Sequence, residues 1–203
     1  MEPALGDCTG AAVLDLGGGT GLRARQAIDA GATSVDVDLS PEMVRMEQDI
    51  ETSLGRHDVI RWLIADVSKP LGHLPLREYD LVMANWVFDH AGTIEELESM
   101  WRNVVACLKP GGRFVGIRAC DPRRPAFANG QARYGVTYKD FAEISGGLRF
   151  RYTLHTSPPV EFECASMEIS YPGSTAMHEK HGLCDVEIEP YENAEILMSD
   201  PEF

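Results

Sequence analysis

Residues 13–21 contain the feature that most constrains the fold of this chain, an apolar strand that runs into a loop with four glycines. Glycine has no Cβ atom, so the backbone can turn sharply there and bring its N–H groups close to a ligand at the start of the next helix. The pattern predicts a loop that binds a nucleotide-type cofactor. An ordinary glycine-rich turn between a strand and a helix is the alternative.

The spacing of the glycines distinguishes two types of nucleotide loop. The dinucleotide pattern GxGxxG fails, because Leu22 stands where its third glycine would be. The pattern DxGxGxG fits, and its positions are Asp15, Gly17, Gly19 and Gly21. On these residues the sequence resembles the class I S-adenosylmethionine-dependent methyltransferases, whose first motif has this form. The resemblance covers roughly residues 11–118 and implies S-adenosyl-L-methionine as the cofactor.

An acid closes the next predicted strand, residues 35–38. Asp38 follows the glycine loop by about 20 residues, where α/β nucleotide folds place a carboxylate that accepts hydrogen bonds from the ribose hydroxyls. Helix capping is the alternative, since Ser40 and Pro41 are a suitable N-cap and first helical residue. The two interpretations can coexist, because Asp38 precedes the cap.

A third acid follows the apolar run 59–65. The resemblance implies that Asp66 hydrogen-bonds the adenine amino group and that the backbone of Val67 meets the ring. Without the resemblance, Asp66 would be interpreted as a turn residue. The complete set that we assign to the cofactor is Asp15, Gly17, Gly18, Gly19, Gly21, Asp38, Leu39, Asp66, Val67, Asn85 and Trp86.

Residues 79–85 predict a fourth buried strand, whose carboxyl end faces the crevice where open α/β sheets bind ligands. Asn85 and residues 86–90 should therefore border the transferred methyl group. Core or lid packing is the alternative for the apolar residues 86–88. If the acceptor must lose a proton, His90 is the first candidate base, with Asp89 beside it. A surface histidine is the alternative, and methyl transfer can proceed without a base.

The remaining patterns predict an α/β, Rossmann-like fold, with a mostly parallel twisted sheet, helices on both faces and an antiparallel strand at the C-terminal side. Residues 109–117 resemble the family's fifth strand. Helices are predicted over 21–30, over 41–54 with Met43, Ile50 and Leu54 buried, and from Thr93, where Glu96 completes a capping box. We expect one domain over residues 1–203, with a cofactor-binding core at 11–118.

Residues 119–170 are expected to line the acceptor site. Residues 118–135 indicate a loop, 148–156 and 160–169 an antiparallel strand pair, 171–182 a helix and 184–188 a last strand. Tyr134, Tyr138 and His155 are candidates to line the pocket, and packing is equally compatible with each. The patterning after residue 86 resembles small-molecule methyltransferases of the toxoflavin-synthase-like branch.

The composition limits the classes of partner that the chain can bind. A net charge of −14 would repel a phosphate backbone, so we predict no nucleic-acid partner. Residues 85–87 also depart from the (N/D/S)PP(Y/F) motif of enzymes that methylate base amino groups, which favours a small-molecule acceptor. The five cysteines are scattered and form no CxxC, so neither disulfides nor a metal site is predicted. With no membrane-length apolar run, a cytoplasmic protein is the expectation.

The sequence leaves open how the cofactor site is covered and which activity the chain has. Only about a dozen residues precede Val13, whereas the resembling enzymes usually carry helices there that cover the cofactor. A second copy in a homodimer, a partner subunit or the insertion after the fifth strand could supply this cover. Arg23 is a candidate to bind the methionine carboxylate, and an exposed helix arginine is the alternative. The chain could instead be a catalytically incomplete partner subunit that binds cofactor. A nicotinamide-dependent oxidoreductase is another alternative, and the absence of a complete GxGxxG pattern disfavours it.

Overall fold

The computed structural model describes residues 2–38, 40–56, 58–118, 121–123, 135–171 and 174–188 of the 203-residue chain. Its elements are α1 (Glu2–Leu5), β1 (Ala12–Leu16), α2 (Leu22–Asp29), β2 (Thr33–Asp38), α3 (Pro41–Ser53), β3 (Ile60–Ile64), β4 (Tyr79–Asn85), a 3-10 helix (Val87–His90), α4 (Ile94–Ala106), β5 (Leu108–Ile117), β6 (Val136–Ile144), β7 (Gly147–Leu154), β8 (Val160–Met167), a second 3-10 helix (Glu168–Ser170) and α5 (Ala176–Lys180).

The first five strands form one parallel sheet in the order β3-β2-β1-β4-β5. All five residues of β1 are buried, as expected for a central strand covered by helices on both faces. The chain leaves β1 towards β2 and β3 on one side and then returns to β4 on the other. The strand order therefore reverses between β1 and β4, which is where sheets of this type bind ligands.

Side-chain caps begin the two longest helices. The Ser40 side chain accepts a hydrogen bond from the Met43 N–H (3.2 Å) at the start of α3, and the Thr93 side chain accepts one from Glu96 (3.1 Å) at the start of α4. The Glu96 carboxylate in turn accepts from the N–H of Gly92 (3.0 Å), one residue before the predicted partner. The predicted helix starts and the Thr93 cap are confirmed.

The core beneath β4 and β5 is built from aromatic rings. Trp101 of α4 stacks on Phe88 with ring centroids 4.4 Å apart, and Phe114 meets its edge at 5.1 Å. Trp101 is therefore a packing residue. The thiols of Cys8, Cys107 and Cys164 are free and buried, whereas that of Cys184 is free and exposed, and Cys120 lies outside the described residues.

The predicted buried face of α3 is wrong. Leu54 is 56% exposed and Met43 and Ile50 are only half-buried, whereas Val44, Glu47 and Glu51 face the interior. Apolar periodicity misplaced this face because two carboxylates occupy it. Arg25 and Arg56 lie within 3.6 Å and 2.9 Å of the Glu51 carboxylate and compensate part of that buried charge.

A second, antiparallel sheet in the order β6-β7-β8 follows the parallel one. The predicted strand pair is confirmed, but it joins β6 in a separate sheet and does not extend the parallel sheet. Within the described part of the chain, residues 184–188 form no strand, because no neighbouring backbone pairs with them. The helix predicted over 171–182 is limited to α5, and residues 172–173 lie outside the described ranges.

Candidate active site

The candidate site lies at the carboxyl edge of the parallel sheet, where its strand order reverses. Asp15 is the fourth residue of β1, and Asp38 and Asn85 are the last residues of β2 and β4. Because these strands are adjacent and parallel, the three polar side chains emerge at the same edge. The topology thus brings together residues that are far apart in the sequence.

The loop after β1 depends on glycine conformations. Gly17, Gly19 and Gly21 have φ values of 70°, 62° and 66°, a region that side chains with a Cβ rarely adopt. A Cβ on Gly17 would lie 2.7 Å from Val87, so the loop packs directly on the Val87–His90 helix. A Cβ on Gly19 would meet no described atom within 4 Å. The loop is therefore closed on the Gly17 side and open at Gly19.

Asp38 ties this loop to helix α3. Its carboxylate accepts hydrogen bonds from the N–H of Gly19 (3.0 Å) and from the N–H of Ser40 (2.8 Å). Both sequence interpretations therefore meet in one side chain, since Asp38 braces the start of α3 and also stands at the glycine loop. Its contact with a ribose stays a prediction. Leu39, assigned to the same site, lies outside the described residues.

Asp15 is a buried acid, 1% exposed, beneath the loop. Burial raises its pKa to about 7, against the opposing effects of the Arg23 charge and the Asn85 amide. Among the described residues, neither oxygen of Asp15 and neither polar atom of the Asn85 amide makes a well-formed hydrogen bond. The Asn85 amide thus influences Asp15 without satisfying it. Arg23, the predicted carboxylate ligand, donates to Gln26 (2.7 Å).

Asp66 forms a turn at the rim of the site. Its Oδ1 accepts from the N–H (2.9 Å) and hydroxyl (2.6 Å) of Ser68, so the turn interpretation is confirmed. The buried Asn103 amide donates to the carbonyl oxygen of Val67 (2.9 Å) and fixes this turn on α4. Contacts of Asp66 and Val67 with an adenine stay predictions.

Trp86 leaves β4 in a left-handed conformation, with φ 66°, which is unusual for a bulky side chain. Its N–H donates to the carbonyl oxygen of Ile117 (2.8 Å), and its side chain is 51% exposed. The next two residues, Val87 and Phe88, are buried. Val87 and Phe88 are therefore packing residues, whereas Trp86 presents an aromatic surface at the edge of the site.

His90 stands between the two sheets. Its Nδ1 lies 4.0 Å from the Sγ atom of Cys164, and its ring centroid lies 6.4 Å from that of Phe162, both on β8. The residue retains an exposed surface, yet packing around the ring lowers the pKa of His90, while the charge of Asp38 acts in the opposite direction. A neutral imidazole in this position can accept a proton.

The neighbouring Asp89 is buried, and its charge acts on Arg118, the first residue of the predicted loop 118–135. Burial lowers the pKa of Arg118, and the negative charge of Asp89 opposes part of this shift. Arg118 follows β5 and donates to the carbonyl oxygen of Ser174 (3.0 Å). Asp89 also raises the pKa of the Cys164 thiol, which burial already raises, to about 12, so this thiol is not ionised at neutral pH.

The antiparallel sheet turns an aromatic face towards this point. Tyr138 meets Tyr152 edge-on with centroids 5.0 Å apart, and Tyr152 lies 5.0 Å from Phe162. By contrast, His155 is exposed and contacts Thr137 (2.6 Å). Tyr134, the third candidate for the pocket, lies outside the described residues.

Glu47 borders the glycine loop, although no motif in the sequence indicates it. This carboxyl group is 0% exposed and lies behind the glycine loop, where its Cγ would be 3.5 Å from a Cβ on Gly21. Burial and the charges of Asp38 and Asp15 raise the pKa of Glu47 to about 8. Glu47 and Glu51 share a helix face with Val44, but this spacing becomes informative only once the packing of α3 is known.

A family model described as a methyltransferase domain matches residues 14–116, just over half of the chain. The demethylmenaquinone methyltransferase of Tropheryma whipplei is 28% identical over 120 residues, which cover 59% of this chain and 46% of that protein. The chain thus spans less than half the length of the curated relatives it matches.

Solved structures share the fold. An S-adenosylmethionine-dependent methyltransferase from Clostridium acetobutylicum has a TM-score of 0.61 at 18% identity, with 84% of this chain and 70% of that chain covered. The sugar N-methyltransferase KedS8 from Streptoalloteichus has a TM-score of 0.58 at 16% identity, with 89% and 76% covered. Within the described residues, no helix combines the length and apolarity needed to cross a membrane.

Proposed function

We infer that this chain, which belongs to the family of methyltransferase domains, binds S-adenosylmethionine and transfers its methyl group to a small-molecule acceptor. The reaction is an in-line displacement, in which an acceptor atom attacks the methyl carbon of the sulfonium and the sulfur leaves as a neutral thioether. The cofactor supplies the activated group, so the protein mainly orients the reactants and excludes water.

The open backbone at Gly19 beside the unsatisfied carboxyl of Asp15 carries this proposal. The cofactor has ribose hydroxyls, an ammonium group and an adenine, which match the carboxylates of Asp38, Asp15 and Asp66 respectively. The open space at Gly19 leaves room for the cofactor to approach the backbone of the loop closely. The residues present therefore fit the cofactor in both shape and charge.

The acceptor is proposed to lie at the edge where the Val87–His90 helix meets the antiparallel sheet. Tyr152 and Phe162 give this side an aromatic surface. This surface favours an aromatic or heteroaromatic metabolite. Two proteins similar to this chain are named for a quinone and a sugar as acceptors, which supports a small molecule. The toxoflavin-synthase-like branch stays a prediction, and the comparisons give no support to a catalytically incomplete subunit.

Under this proposal His90 takes the acceptor's proton when one must leave. The lowered pKa of His90 keeps the imidazole neutral near pH 7 and therefore able to accept it. Cover of the cofactor by a second copy or a partner subunit also stays a prediction.

Calorimetric titration with S-adenosylmethionine and S-adenosylhomocysteine tests the cofactor assignment. We expect saturable binding of both by the wild-type chain, and Gly19→Val should abolish it, because the side chain would fill the open space where the ligand approaches. Gly55→Val is a matched control, since Gly55 also has positive φ and open space but lies at the far end of α3. Equal binding by all three proteins would refute the site.

A further inference from the structure

Glu47 is a buried acid that the proposed chemistry does not use. It is 0% exposed, and within the described ranges neither of its oxygens has a hydrogen-bond partner. It stands against the turn that ends the glycine loop, because a Cβ on Gly21 would lie 3.5 Å from Glu47 and 3.1 Å from both Arg25 and Trp62. An acid in this position is coupled to the loop by packing as well as by charge.

The charges that face Glu47 come from three elements. Asp15 of β1 and Asp38 of β2 disfavour its ionisation, and Arg25 of α2 favours it. Arg25 is shared with Glu51 on the same helix, which also pairs with Arg56 (2.9 Å). Trp62 of β3 adds no charge. Glu47 therefore faces two acids and only part of one cation.

We propose that Glu47 is a positioning residue that acts through Asp15 and Asp38 and releases its proton to solvent when a cationic cofactor binds at the glycine loop. This inference rests on the proposed binding of S-adenosylmethionine. It adds a titratable residue on α3 to a site that the loop motif describes as one acid, Asp15, and three glycines.

The charges around Glu47 explain why its ionisation depends on the bound ligand. A cation beside Asp15 and Asp38 offsets their negative charge, so the neighbouring Glu47 ionises more readily in the complex than in the free protein. By linkage, a ligand that lowers the pKa of Glu47 binds more tightly as the pH rises. S-adenosylmethionine carries a sulfonium cation, whereas S-adenosylhomocysteine has a neutral sulfur at that position. The two ligands should therefore differ in the number of protons they release.

The experiment measures the number of protons that the protein releases when each ligand binds. Calorimetric titrations near the raised pKa of about 8, repeated in buffers with different ionisation enthalpies, give the number of protons released on binding. For the wild-type chain we expect S-adenosylmethionine to release about 0.3 proton more than S-adenosylhomocysteine, and its relative affinity to rise about threefold between about pH 7 and about pH 9.

Two variants test whether Glu47 is the source of the released proton. Glu47→Gln keeps the size of the side chain but cannot ionise, so at least half of the difference between the ligands should disappear, with Asp15 supplying the rest. Asp49→Asn removes one negative charge from the exposed face of the same helix and should leave the difference intact.

The outcomes separate this inference from the cofactor assignment. If neither ligand binds, the proposed function fails. If both bind and release equal numbers of protons from the wild-type chain, the inference is wrong whatever Glu47→Gln does. An unchanged difference in Glu47→Gln would overturn it as well.

Discussion

The two sheets of this molecule place their charged side chains in opposite ways. Around the parallel sheet, Asp15, Glu47 and Glu51 are buried beside the candidate site. On the antiparallel sheet, the outer face carries exposed cross-strand ion pairs, such as Arg149 with Glu163 at 3.5 Å and Lys139 with Glu161 at 2.5 Å. Its charges lie where water screens them.

This difference indicates what each region contributes. Burying a carboxylate is costly unless it is paired or protonated, so buried acids of this kind often mark functional sites. Exposed ion pairs contribute little to stability and leave the aromatic inner face of the antiparallel sheet to hold it in place. Charge should therefore control the cofactor side, and apolar packing the acceptor side.

The largest expected effect is the pH dependence of the unfolding free energy that the ionisation of Glu47 causes. Because the pKa of Glu47 is raised from 4.5 to about 8, the folded state binds this proton more tightly than the unfolded state. The free energy of unfolding should therefore fall by a few kcal/mol, at most about 5, as the pH rises from about 4.5 to about 8. Denaturant unfolding across this range should show a flatter profile for Glu47→Gln. Glu163→Gln, on the exposed face, should retain the wild-type slope, and a retained slope in Glu47→Gln would contradict the comparison.

Phe150→Ala tests whether the two regions are independent. Phe150 is 4% exposed in the core of the antiparallel sheet, and its truncation should cost about 3 to 5 kcal/mol of unfolding free energy. If cofactor binding belongs to the parallel sheet, the affinity for S-adenosylhomocysteine should change less than about threefold under conditions where the variant is folded. Loss of affinity in parallel with stability would show that the sheets act as one unit.

Asp38→Asn sharpens the charge side of the comparison. The amide keeps the shape of the side chain but loses the charge that accepts from Gly19 and Ser40. We expect the binding free energy of S-adenosylhomocysteine to weaken by about 1 to 3 kcal/mol. Isothermal titration measures this, with Asp49→Asn as the charge-matched control. Unchanged affinity would remove the ribose assignment.

The smallest effect is expected from Lys139→Ala. This residue pairs with Glu161 on the exposed face, and both side chains are about two-fifths exposed. Exposed pairs of this kind contribute less than about 1 kcal/mol, so the denaturation midpoint should move little and should depend on salt. A larger loss would mean that the outer face also carries stability.

The parallel sheet could be predicted from the sequence because its patterns are local. Residues 81–84 are a continuous apolar run, and the structure places β4 over the predicted range, Tyr79–Asn85. Strand β6 could not be predicted in this way. Its register shifts between Lys139 and Ala142, and Asp140 has φ 57°, so the alternation of apolar and polar side chains is broken.

The same distinction between local pattern and long-range packing applies to the residues of the site. The glycines and Asp38 follow from spacing, since a loop at a strand end has a fixed place in this fold. Glu47 and Arg118 do not, because their environment depends on which elements pack against them. A buried glutamate on a helix face looks like a solvent-exposed one until the neighbouring arginine and tryptophan are known.

The left-handed backbone of Trp86 has an optical consequence. The chain has three tryptophans, of which Trp101 is buried and Trp62 is half-buried. The indole of Trp86 stands half in water at the mouth of the site. Its emission should lie to the red of the others and should be quenched by iodide. A ligand that fills the crevice shields this ring, so the protein contains its own fluorescent reporter of occupancy.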